Sequence, residues 1–120
     1  MAPLTVRSGT VPRTSTRGPT SWKVTEVADL RGNRLLIIHG ELDIATAPEL
    51  VDLLDRMRHH KHAVTLDLAE VTFMDSTGLT TLMDAQVQAE RDGWSFTVTR
   101  PSQAVKRVFE LAGVQHLLGE

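Results

Sequence analysis

The chain has 120 residues, 41% hydrophobic and 23% charged, which suits one folded domain with a single core. Its longest aliphatic run, Leu35-Leu36-Ile37-Ile38, is far short of the roughly 20 apolar residues a membrane-spanning helix requires, and the absence of cysteine excludes disulfides, thiolate nucleophiles and Cys-ligated zinc. A formal charge of −2 makes no general case for nucleic-acid binding.

That small total is unevenly spread. Met1 to Thr20 carries Arg7, Arg13 and Arg17 and no acid, hence +3; the rest holds 10 Lys/Arg against 15 Asp/Glu, hence −5. The first 20 residues are also rich in Ser, Thr and Pro and poor in anything that packs, so they read as a disordered basic tail, with the folded domain spanning residues 21–120. No apolar secretory core is present in them; their Arg/Ser/Thr bias faintly resembles an organellar transit peptide, and a plain extension accounts for it as well.

Trp22 to Ala28 reads as a first strand. Asp29-Leu30-Arg31-Gly32-Asn33 supplies turn chemistry, and Arg34 to Leu42 a second strand, together an antiparallel hairpin. Thr46 and Glu49 form a capping-box pair with Pro48 in the first turn, and Leu50, Leu53, Leu54 and Met57 recur at helical spacing, predicting a helix over Ala47 to His59. Ala63 to Val71 alternates as a strand. A second helix is expected from Thr77 to Arg91, ending at Asp92-Gly93, with Leu79, Leu82 and Met83 inward. Trp94 to Thr99 alternates again. Pro101-Ser102 opens a third helix with a Val105, Val108, Phe109, Ala112 stripe, and His116 to Leu118 a short packed turn.

The order β-β-α-β-α-β-α predicts an α/β fold: a four-stranded mixed sheet with strands 2–4 parallel, strand 1 antiparallel and the helices mainly on one face. Parallel strands place two loops on one rim at their carboxyl ends. One is Gly40-Glu41-Leu42-Asp43 leading to Thr46; the other is Met74-Asp75-Ser76-Thr77-Gly78. Ser76 could act as a helix N-cap, but Asp75 and Thr77 could do so too. Glycine inside a first helical turn sacrifices stability, so Gly78 is read as admitting another chain or a phosphate close to the backbone. A phosphoryl group on Ser76 would meet the favourable end of the helix dipole while adding about −1.5 to −2 charges beside Asp43 and Asp75.

The run Leu66-Asp67-Leu68, Val71, Phe73, Met74-Asp75-Ser76-Thr77-Gly78-Leu79 resembles the signature of STAS domains, and more narrowly of bacterial anti-sigma factor antagonists. Gly40-Glu41-Leu42-Asp43 with Thr46-Ala47 is similar to the family's loop after the second strand, and the likeness extends over Trp22 to Leu118; the basic tail departs from it. The resemblance implies a switch and not an enzyme. The unphosphorylated form would bind an anti-sigma factor that is also a serine-protein kinase and so release a sigma factor. Phosphorylation of Ser76 would switch binding off, and a phosphoserine phosphatase would restore it. Asp43, Thr46, Asp75, Ser76, Thr77, Gly78 and Leu79 would form the partner contact. No cofactor or metal is expected, since ATP and magnesium belong to the kinase. A cytoplasmic monomer or weak homodimer is implied, touching neither nucleic acid nor membrane. The alternative within the family is a scaffold subunit of a stress-sensing or lipid-transport assembly.

Two enzyme-like readings compete. A hydrolase elbow needs Gly-x-Ser-x-Gly and a histidine base; the first glycine is missing, and His39, at a strand end, is the best-placed imidazole. A phosphoacceptor receiver would use Asp67, but only Asp43 offers a partner acid, and Arg100 stands where a lysine is needed. His59, His60 and His62 cluster past the first helix, where polar residues facing a negative dipole end suffice to explain them without zinc.

Overall fold

Alternation of apolar and polar residues sets the two strands that open the fold, β1 (Trp22–Ala28) and β2 (Arg34–Leu42). The structure, a computed structural model, describes residues 22–118 and the backbone of Thr5–Val6 and Arg13–Thr14. Those four apart, the expected disordered tail lies outside the described residues. Between β1 and β2 the Asp29 carboxylate accepts the N–H groups of Arg31 and Asn33 and the Asn33 amide, which sets the five-residue turn.

The chain continues through α1 (Ala47–His59), β3 (Val64–Met74), α2 (Ser76–Asp92), β4 (Phe96–Thr99), α3 (Gln103–Leu111) and a 3₁₀ turn at Gln115–Leu117. The sheet order is β1-β2-β3-β4, with β1 antiparallel to β2 and β2, β3 and β4 parallel, as expected. Leu36, Ile38, Leu66 and Leu68 are fully buried on the helix side. Leu35, Ile37 and Thr65 between them are only half-buried, so the helices cover one face.

Leu50, Leu53, Leu54 and Met57 of α1 join Leu79 and Leu82 of α2 and Val105 and Phe109 of α3 in one core cluster. Burial of each large aliphatic side chain contributes about 1.5–3 kcal/mol. One expected stripe residue lies outside it: Ala112 is exposed, because α3 ends at Leu111 and Ala112 is its C-cap.

β3 runs three residues past the predicted end, and two irregularities explain why. The register against β2 goes from Ile37↔Asp67 to His39↔Glu70 and then from Gly40↔Val71 to Glu41↔Phe73, one extra β3 residue at each step. Bulges of this kind break alternation and re-aim side chains. The first is braced by the buried Asp67, whose carboxylate accepts the Ala69 N–H at 2.9 Å and lies 3.6 Å from Arg100. Asp67 therefore shapes a strand.

At the opposite end of the sheet, His62 turns toward Arg34. The guanidinium bonds Glu26 at 3.0 Å and the Gly32 carbonyl at 3.0 Å, and approaches His62 Nε2 at 3.2 Å. Arginine can only donate, so that nitrogen accepts and the imidazole is neutral. Burial, then the charges of Arg34 and His60, hold the His62 pKa below its ordinary 6.5. The unfolded chain thus takes up this proton first. The contribution to stability is complete above the unfolded pKa and is lost as pH falls through 6.5 toward the folded value. Between pH 7.5 and 5.5, the urea midpoint of the wild type is expected to fall further than that of His62→Gln; parallel curves would contradict this.

Candidate functional site

The rim at the carboxyl ends of β2 and β3 is built from two loops joined at one backbone atom. Glu41 pairs with Phe73 and Leu42 with Met74, bringing the loops after β2 and β3 side by side. The Leu42 carbonyl then accepts the Asp75 N–H at 3.3 Å.

In the first loop, Asp43 Oδ1 accepts the N–H groups of Ala45 (2.9 Å) and Thr46 (3.2 Å). Thr46 is fully buried; its hydroxyl donates to the Glu41 carbonyl at 2.8 Å and accepts the Asp43 N–H at 3.0 Å. The expected capping box is therefore not formed. Thr46 has near-helical backbone angles (φ −103°, ψ −22°) and makes no side-chain cap bond, because its hydroxyl is committed to the loop behind it. Pro48 does sit in the first turn.

In the second loop, Asp75 is the N-cap of α2. Its extended backbone aims Oδ1 at the N–H groups of Thr77 (2.9 Å) and Gly78 (3.1 Å), a cap contributing about 1 kcal/mol. Ser76 is thereby released from capping. It occupies the first helical position, exposed, with no hydrogen bond from its hydroxyl among the described residues.

Gly78 has a different reason from the one its sequence suggested. A Cβ there would lie 2.6 Å from the Leu42 carbonyl oxygen and 2.9 Å from the Leu42 side chain. Within the fold, what approaches this glycine is the protein's own β2 end.

Of the seven predicted site residues, Ser76 is exposed and Asp43, Asp75 and Thr77 are half-buried, while Thr46, Gly78 and Leu79 are buried. The sequence reading missed two rim residues: Ile44 is 74% exposed and Phe73 is 48% exposed. Phe73 turns outward beyond the second bulge, where strand alternation no longer predicts facing. His39 is bonded to Thr25 at 3.3 Å, at a sheet position between β1 and β2. Among the described residues, no group of three or more His, Cys, Asp or Glu could hold a metal ion, and no helix is long and apolar enough to cross a membrane.

A family pattern described as "Mlab, STAS domain" matches residues 27–119. The chain belongs to the STAS domain family. Within it, the chain is 33% identical over 82 residues to an anti-sigma-B factor antagonist of Staphylococcus epidermidis, covering 68% of this chain and 76% of the relative. An anti-sigma factor antagonist from Mycobacterium paratuberculosis shares the fold with a TM-score of 0.68 at 25% identity, over 87% of this chain and 86% of that one. The phosphorylated form of the Bacillus cell fate determinant SpoIIAA superposes with a TM-score of 0.63 at 16% identity, over 80% of this chain and 88% of that one. The STAS rim described above thus belongs to an anti-sigma factor antagonist family.

Proposed function

We propose that this STAS domain is a phosphorylation-controlled antagonist of an anti-sigma factor that is also a serine-protein kinase. Unphosphorylated, it binds that partner in the cytoplasm and frees a sigma factor. A phosphate on Ser76 ends the association, and a phosphoserine phosphatase restores it. The domain acts by binding and not by catalysis.

The observation that carries this reading is the exposed Ser76, one residue past a helix cap that another side chain already supplies. Asp75 occupies the Thr77 and Gly78 N–H groups. A phosphate on Ser76 would compete with that carboxylate for the helix-end donors, and otherwise projects its charge into the partner contact. Asp43, Asp75, Ser76 and Thr77 meet the partner, with Ile44 and Phe73 as apolar anchors beside them. Thr46, Gly78 and Leu79 hold the rim's shape from within. The relatives' names as anti-sigma factor antagonists, and a fold neighbour solved in a phosphorylated form, support the same reading.

The test is incubation with candidate kinase anti-sigma factors, ATP and magnesium, read by intact mass and site mapping. One phosphate on Ser76 is the expected result. A phosphate on Thr77 or Thr80 with Ser76 bare overturns the assignment.

A further inference from the structure

The face of the sheet opposite the helices carries a pattern of its own. Directly opposed residues in neighbouring strands share a face, so the strand register lays out this surface row by row. Leu35, Ile37 and His39 of β2 run up its middle. The two aliphatic side chains are only half-buried, with no described helix over them. At the level of His39, Lys23 stands on β1 to one side and Glu70 on β3 to the other.

Lys23 and Glu70 are two strand spacings apart, roughly 10 Å, too far to meet within one chain. Neither makes an ion pair among the described residues. Turning a second copy about an axis along β2 sets Lys23 of each chain opposite Glu70 of the other. The same rotation seats Leu35, Ile37 and His39 each on its own copy. Asp67, level with Ile37, then faces Thr25, and Arg100 already stands 3.6 Å from its carboxylate. A partner of one charge sign would match one flank and repel the other; a second copy matches both.

We propose that two copies of this chain pair through the open face of the sheet, with Lys23 and Glu70 forming two ion pairs across a central stripe of Leu35 and Ile37. Three strands over about six residues present roughly 300 Å² in projection, against about 800 Å² per partner in a stable complex. The dimer is therefore weak, with a Kd on the order of 10–100 µM. The helix layer, with Ser76 at the start of α2, stays on the outside of the pair. The pairing rests on this face alone and is independent of phosphorylation.

The experiment is sedimentation equilibrium of the full chain over concentrations spanning that Kd. The wild type is expected to rise from the mass of one chain toward that of two. Lys23→Glu and Glu70→Lys each oppose like charges twice, so either variant alone should associate about tenfold more weakly. Mixed together, the two variants pair again, because each presents the complement of the other. Lys23 is half-buried and Glu70 exposed, and a melting curve for each variant confirms that the fold is kept. A wild type that stays one chain throughout overturns the proposal and leaves the face to a different partner. Single variants that associate like the wild type, or a mixture that stays monomeric, overturn it too.

Discussion

Ser76→Asp is expected to bind the kinase anti-sigma factor about a hundredfold more weakly than the wild type, whereas Ser76→Ala binds and stays bound when ATP is supplied. A hundredfold loss corresponds to only about 2.7 kcal/mol. The rim makes that penalty accessible. Ser76 is exposed, so a new charge there is solvated in the free protein and stripped of water only in the complex. The Asp75 carboxylate already takes the nearest helix donors, leaving the added charge to repel it and to face the partner. Both variants should fold as well as the wild type, since an exposed substitution clear of packing changes stability by about 0.5 kcal/mol or less. Titration calorimetry against the partner, with a melting curve beside it, separates the two effects. Equal affinity of Ser76→Asp and wild type, with both folded, would defeat the switch.

The largest effect on the domain itself is expected from Gly78→Ala. Alanine is favoured over glycine inside a helix by about 1 kcal/mol, so propensity alone predicts a gain. Against this, the new methyl would stand 2.6 Å from the Leu42 carbonyl oxygen. That oxygen is backbone and holds the Asp75 N–H, and the Leu42 side chain is fully buried, so neither yields cheaply. Overpacking of this kind costs up to about 3 kcal/mol. The clash wins, for a net loss of about 2 kcal/mol and a melting temperature lower by roughly 10 °C. A melting point at or above that of the wild type would show that the close approach constrains nothing.

These two residues also show where the sequence could be read and where it could not. Three elements begin and end where periodicity puts them: β1, β2 and α1. Each has an uninterrupted pattern with turn or start signals at its ends. β3 was cut short at Val71 because two bulges shift its phase, and a bulge has no local spelling here beyond an acid two residues before Ala69. Ser76 could be singled out because its neighbourhood holds more capping side chains than one helix needs; the structure assigns the cap to Asp75. Gly78 was recognised as costly in a helix, yet the atom that demands it lies 36 residues earlier, across a parallel strand pair that no local pattern encodes. The roles of Thr46 and His62 were hidden for the same reason. A hydroxyl or an imidazole satisfies the nearest local motif on paper, while in the fold a loop carbonyl or a distant guanidinium claims it.

The bond from Asp75 to the Leu42 carbonyl has a consequence for how the domain can signal. One oxygen fastens both loops, and the helix behind it sits flush against the same atom, so moving either loop means breaking contacts at that atom. In the switch proposed above, a phosphate on Ser76 would then act like ink on a printed label and not like a latch. Under that proposal the partner would tell the two forms apart by local potential at the exposed Ser76.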